Sequence, residues 1–175
     1  MSHAVAALTL GPAFRRARWP GRVWWAGALC AMLPDVDVIG SWLGVPFGSL
    51  FGHRGLTHSF AFAAALAAIV APWLVARGMR RWLWLYLFVA TASHGVLDAM
   101  TNGGIGVALF APFDTTRYVL PWRPIAVSPI GVRRFFSARG VTVLASEALW
   151  LWLPSAMVAA SAWALTRPRR ARQGG

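Results

Sequence analysis

Lysine is absent from this 175-residue chain, and acidic residues number five, histidines four and cysteine one. Cys30 therefore has no partner within the chain, so a disulfide framework is excluded. Lying in the apolar stretch 23–33, it reads as a small buried hydrophobe. With so few acids, the 17 basic residues, all arginine, leave a formal charge of +12. A nucleic-acid groove reader needs its basic residues along one element. Here most fall in short clusters between long apolar runs, the pattern of cytoplasmic membrane anchors. Nucleic acid is not an expected partner. No positively charged region precedes the first apolar stretch, so insertion is expected to use internal spans instead of an ordinary signal peptide.

Apolar surface is what the chain has in excess. Hydrophobic residues make up 58% of it and mean hydropathy is positive, beyond what a soluble domain of this size shows. Eleven tryptophans point the same way, because indole rings favour the bilayer interface. A membrane span needs about 20 mostly apolar residues, and 56–76, 82–100 and 141–166 qualify. Two shorter pieces, 3–14 and 23–33, predict a helical hairpin or a broken pair entering the membrane part-way. Residues 38–51 are punctuated by Gly40, Gly44, Pro46 and Gly48 and predict a loop or re-entrant element. Residues 101–140 form a long Gly-, Pro- and Arg-rich connection, of a length that is usually functional. The expected fold is all-α: a polytopic membrane bundle of about three full spans, two shorter N-terminal helices and a long irregular loop. Residues 1–166 make one domain and 167–175 a basic tail.

If the helices alternate, Arg15, Arg16, Arg18, Arg22, Arg77, Arg80, Arg81 and the four arginines after residue 166 fall on one side, eleven in all. Arg54, Arg117, Arg123, Arg133, Arg134 and Arg139 fall on the other, six in all. The larger group is expected in the cytoplasm, which predicts a multi-pass inner (plasma) membrane protein with a cytoplasmic C-terminus.

The scarce titratable residues are His3, Asp35, Asp37, His53, His58, His94, Asp98, Asp114 and Glu147. His58 opens one span whose far end is the Arg77–Arg81 cluster, while His94 and Asp98 close the next span, which starts at that cluster. Those three therefore share the non-cytoplasmic face. Asp35 and Asp37 follow a helix that begins near Arg22, His3 begins the first helix opposite Arg15, and Glu147 lies two turns into the last helix from the same side. All the candidates converge on one end of the bundle.

His94 and Asp98, four apart, point from one helical face, a spacing suited to two ligands of one ion. An ionisable group inside an apolar span costs several kcal/mol unless paired or functional, and a bound cation offsets that cost. In Asp35-Val36-Asp37, extended backbone would turn the two carboxylates to opposite faces, one as ligand and the other as support; a pair of turn-forming aspartates is the alternative. Gly52-His53-Arg54-Gly55-Leu56-Thr57-His58-Ser59 is the sharpest signature. Its glycines allow a tight bend, His53 joins the candidate ligands, and Thr57 is suited to capping the helix that presents His58. Arg54 is suited to gripping an anionic group such as phosphate, or else to anchoring at the interface. Thr101 and Asn102, after Asp98, are placed to orient ligands and to border a substrate. Asp114 reads as a turn residue. Glu147 reads as a ligand or a proton-handling group.

Leu-Pro-Asp-Val-Asp at 33–37, His-Arg-Gly-Leu-Thr-His-Ser at 53–59 and Ser-His-Gly-Val-Leu-Asp-Ala-Met-Thr-Asn-Gly-Gly at 93–104 resemble the YdjM family of membrane-bound metal-dependent hydrolases. Pro-Trp-Arg-Pro-Ile at 121–125 and Phe-Phe-Ser-Ala-Arg-Gly at 135–140 extend the resemblance over almost the whole chain. It implies a helical inner-membrane hydrolase, distantly related to zinc-dependent phospholipase C and P1 nuclease. Carried over, it makes His3, Asp35, His58, His94 and Asp98 ligands, with Glu147 a further candidate. Those soluble relatives have more histidines than the four here, so one or two ions, zinc first, are expected instead of three.

The expected activity is hydrolysis of a lipid-like phosphoester by a metal-activated water. Asp37 or Glu147 would accept the proton, and Arg54 and Arg139 would hold the anionic part of the substrate. The bilayer is then both solvent and source of substrate. The alternative is a small metal-ion or proton transporter using the same cluster.

Overall fold

A computed structural model describes residues 2–14, 19–128 and 136–166 of the chain. The basic tail at 167–175, Arg133 and Arg134, and the arginines at 15, 16 and 18 lie outside the described residues. Among the described residues seven α-helices follow one another: α1 Ser2–Leu10, α2 Gly21–Met32, α3 Val38–Trp42, α4 Phe60–Leu74, α5 Arg80–Ala99, α6 Ala138–Glu147 and α7 Leu153–Thr166. Among the described residues there is no β-strand, only the isolated bridges Thr101–Ile125 and Val107–Tyr118 within the long connection.

The centre of the bundle is α5, packed against α1, α2 and α4. Leu83, Tyr86, Leu87, Ala90, His94 and Asp98 are all buried on it, the three-and-four spacing of one helical face. Small residues let the neighbours come close: Ala63, Ala67 and Ala71 form the buried edge of α4, and Ala7, Ala31 and Ala90 meet where α1, α2 and α5 converge. Gly27 of α2 lies against the Tyr86 ring, where a Cβ would come within 2.2 Å of the phenol oxygen. Cys30 is buried in the same core.

Helix ends differ from those expected, for local reasons. The expected span 56–76 is helical as α4 only over Phe60–Leu74, 15 residues. Ser59 is extended and its hydroxyl accepts from Phe62 N at 3.1 Å, so Ser59, not Thr57, caps the helix. At its other end, Arg22 donates to Leu74 O at 3.0 Å and Arg80 to Pro72 O at 3.3 Å, satisfying carbonyls the helix leaves open. The expected half-span at 23–33 is instead part of a longer rod. Pro34 sits in the first turn of a 3₁₀ segment, Leu33–Asp37, where a missing N–H costs nothing, so the chain runs helically from Gly21 to Trp42. The loop expected at 38–51 accordingly begins as helix and becomes turns only after Trp42.

By length and composition, two helices among the described residues are long and apolar enough to cross a bilayer: Gly21–Trp42, 22 residues, and Ala138–Ser161, 24 residues, which runs from α6 through a π turn at Ala148–Trp152 into α7. Little of the second is buried against protein. Trp25 on α2 is 74% exposed and Trp73 on α4 is 84% exposed. Exposed apolar surface on this scale calls for an apolar surrounding.

Candidate metal centre

The antiparallel pair α4–α5 turns at Arg77–Met79, so His58, just before α4, and His94 and Asp98, near the end of α5, meet at the opposite end. The 3₁₀ segment after α2 brings Asp35 and Asp37 to the same rim, and α1 starts there with His3. His3, Asp35, Asp37, His58, His94 and Asp98 meet as helix alternation leads one to expect, whereas Glu147, expected at the same end, is in neither converging His/Asp group.

Four donor atoms gather around one point: Asp35, His58, His94 and Asp98 each present one, all within 4.8 Å of one another. His94 Nε2 lies 3.4 Å from Asp35 Oδ1, and His58 Nε2 lies 3.9 Å from Asp35 Oδ1 and 3.5 Å from Asp98 Oδ2. These separations are long for hydrogen bonds, and both Nε2 atoms are buried without a hydrogen-bond partner. They suit donors about 2.1 Å from a shared cation, which can lie up to about 4 Å apart.

The other side of each ring explains why Nε2 is free. His94 Nδ1 is 2.7 Å from the carbonyl oxygen of Ala31. A carbonyl only accepts, so Nδ1 carries the proton and Nε2 keeps its lone pair. His58 Nδ1 faces Asp37 Oδ2 at 3.1 Å, and a carboxylate holds the proton there in the same way. Carboxylate or carbonyl behind an imidazole is the arrangement that aims a metal ligand.

Asp37 is held from several directions. His53 Nδ1 lies 2.7 Å from its Oδ1; Thr57 Oγ1 and the backbone N–H of Arg54 donate to Oδ2, the latter at 3.2 Å. Both oxygens have hydrogen-bond partners, and Oδ2 faces His58 Nδ1, so Asp37 orients His58. Asp37, His53 and His58 also form a His/Asp group close enough to hold an ion, but its atoms already satisfy one another. His53, expected as a ligand, stands in this second group, with its Nδ1 against Asp37 Oδ1.

Arg54 has φ +63°, unusual for a residue other than glycine, between glycines that let the loop close. A Cβ on Gly52 or Gly55 would come within 2.2 Å of the carbonyl oxygen of Pro46 or Leu50 respectively. The turn directs the buried guanidinium inward: Nε pairs with Asp98 Oδ2 at 3.0 Å and an Nη donates to Gly103 O at 3.2 Å. Arg54 therefore holds Asp98 in addition to any part in binding substrate. Asp35, its side chain 53% exposed, is where the cluster opens outward.

His3 lies at the edge, its ring stacked on His94 with centroids 3.6 Å apart and its Nε2 3.8 Å from Asp98 Oδ1. Thr101 donates to Asp98 O at 2.8 Å and Gly103 O at 3.1 Å and braces the loop behind Asp98 from a buried position, whereas Asn102 is exposed and its side chain accepts from Val127 N at 3.1 Å. Asp114 makes the expected turn, accepting from Thr116 N at 2.8 Å and from Tyr118 OH at 2.7 Å. The Thr116 and Tyr118 donors hold its carboxyl below the ordinary range. Glu147 closes α6 and Arg139, exposed, lies in its first turn. Neither belongs to the converging His/Asp groups.

Sequence reasoning missed three contributors. Thr57 supports Asp37, the Ala31 carbonyl sets the His94 tautomer, and Arg117 donates to the carbonyls of Ser49, His53, Arg54 and Gly106 at 3.1–3.3 Å. Arg117 ties the His53–Arg54 turn to the long connection. The Thr57 hydroxyl beside His58 was a readable signal; the other two exist only through long-range contacts.

A family model described as YdjM inner membrane protein matches residues 1–171. The chain is similar to inner membrane protein YbcI of Escherichia coli (strain K12), with 38% identity over 170 residues, 93% of this chain and 95% of that protein. It is also similar to YvsG of Bacillus subtilis (strain 168), at 32% identity over 87 residues, 46% of this chain and 52% of that one. No solved structure matches.

Proposed function

Starting from the fact that this chain belongs to the YdjM family of inner membrane proteins, we propose that it is a membrane-bound hydrolase, dependent on a divalent metal, that cleaves a lipid-like phosphoester. The observation that carries this reading is the pair of buried, unpartnered Nε2 atoms of His58 and His94 facing Asp35 and Asp98. Those four residues would hold the ion, with zinc favoured by two imidazoles and His3 available as a fifth donor. When bound, such an ion supplies Lewis acidity and a water acidified to near neutral pH.

The chain's own groups do the rest. Asp37 and the Ala31 carbonyl keep both imidazoles in the tautomer that offers Nε2. Arg54 brings positive charge beside Asp98, where an anionic phosphoryl oxygen would approach. Asp35, the one carboxylate of the cluster open to water, would offer Oδ1 to the ion and leave its other oxygen to accept the proton. The bundle crosses the membrane several times, with Arg22 and the Arg77–Arg81 turn at the cytoplasmic side, the cluster at the opposite rim and the C-terminus in the cytoplasm.

Metal analysis of protein purified in detergent, paired with phosphate release from phosphatidic acid, tests the reading. About one zinc per chain and activity are expected, both lost in His94→Ala and Asp98→Asn. Unchanged metal content in these variants overturns it. Metal flux in proteoliposomes without any hydrolysis would assign the cluster to transport.

A further inference from the structure

A cavity of about 530 Å³ lies between α1, α5 and the α6–α7 rod, and the metal reading leaves it unused. Its walls are hydrocarbon, among them Ala6, Phe88, Val96, Leu97, Leu151 and Val158. The hydroxyls of Thr9 and Ser93, also in the wall, donate back to Ala6 O and Ala90 O at 2.8 and 2.7 Å. Its volume is that of a small-molecule site, and its chemistry selects an apolar occupant.

Its position says which one. At one end, the lining residue Leu97 directly precedes Asp98, Ser93 precedes His94, Phe60 follows His58 by two, and Ala6 is one turn from His3. From there the wall follows α5 back to Phe88, about 13 Å along the helix axis, away from the charged rim and into the depth of the bundle. A slot whose lining starts at the chain neighbours of the proposed metal ligands, near Arg54, and runs inward along the helices fits a molecule with a phosphoester head and a hydrocarbon tail. We propose that this cavity seats one acyl chain of the phosphoester lipid whose head lies at the His/Asp cluster, so that the groove between α5 and α7 selects the substrate by its chain. The inference rests on the hydrolase reading for the identity of the head group, and on the cavity alone for the chain.

Zinc-loaded protein in nanodiscs, irradiated with phosphatidic acid bearing a diazirine on its acyl chain, tests it by mapping the labelled peptides. Label is expected on α5 around Val89–Val96 and on α7 around Ser155. Ser155→Trp and Val96→Phe, on different helices and outside the cluster, each fill the slot and should cut that label roughly tenfold while zinc content stays the same. Label spread over the outward faces carrying Trp25 and Trp73, unchanged by both substitutions, overturns the proposal. Label confined to the cavity and reduced by both substitutions, in protein that binds no zinc, would uphold the chain site and discard the metal reading, so the two failures are distinguishable.

Discussion

The α-carbon of Gly95 faces the carbonyl oxygen of His58 so closely that a Cβ there would lie 2.4 Å from it. This contact is what allows α5 to bring His94 and Asp98 up to His58, because the obstructing atom belongs to backbone and cannot rotate away.

Gly95→Ala should therefore displace the 3₁₀ turn Leu56–His58 without unfolding the bundle. Metal affinity is expected to fall about 10- to 100-fold, the usual cost of misaligning a ligand shell, with helical circular dichroism unchanged. A chelator competition titration measures it; wild-type affinity would refute the packing argument.

Asp37→Asn removes no atom from the four-donor set but weakens the grip on His58 Nδ1 and on His53. A loss of about 10-fold or more in zinc affinity is expected. His53→Ala should give a smaller loss in the same titration, because Thr57 and the Arg54 N–H still hold Oδ2. Loss of metal in His53→Ala as complete as in His94→Ala would instead make His53 a ligand.

Arg54→Gly isolates the charge on Asp98. Glycine takes φ +63° without strain, so the loss reports the side chain. With Arg54 and Asp98 only 7% and 10% exposed, removing one partner should cost about 3–5 kcal/mol in metal-free protein. Zinc should recover much of that by replacing the missing positive charge. Thermal unfolding in detergent with and without zinc checks this; equal destabilisation in both states would contradict it.

Acid should loosen the 107–118 turn before it disrupts the bundle. Thr116 and Tyr118 hold the Asp114 carboxyl below its ordinary value, and a depressed carboxylate contributes stability above its unfolded pKa of about 4, lost as pH falls through the folded value. Amide exchange at Thr116, corrected for its intrinsic pH dependence, should therefore accelerate in that window. Asp114→Asn should exchange faster at neutral pH and show no such transition.

Much of the site was legible because the chain is so poor in titratable groups. With four histidines and five acids, helix alternation alone sends His3, Asp35, Asp37, His58, His94 and Asp98 to one rim. What the pattern left open was which of these are ligands. His53 and Asp37 have the same residue types as His94 and Asp35, and only the tertiary structure distinguishes a pair bonded to each other from a pair whose His Nε2 is left without a hydrogen-bond partner. Helix ends were misplaced at single residues: Ser59 starts α4 later than hydropathy indicates, and the piece expected to end at residue 33 runs on through Pro34.

By itself, the sequence determined the solvent and the end of the bundle at which the titratable groups gather. Apolar runs too long for a soluble core call for a bilayer, and arginine clusters at alternate helix ends put the acids and histidines opposite them, because charge and hydration act through composition and order along the chain. Only the tertiary structure decided the tautomers, the partner of Arg54 and the cavity beside α5. Each of these depends on contacts between residues far apart in sequence, such as His94 with Ala31 and Arg54 with Asp98, and a hydrogen bond is made or lost over tenths of an ångström that no periodicity encodes.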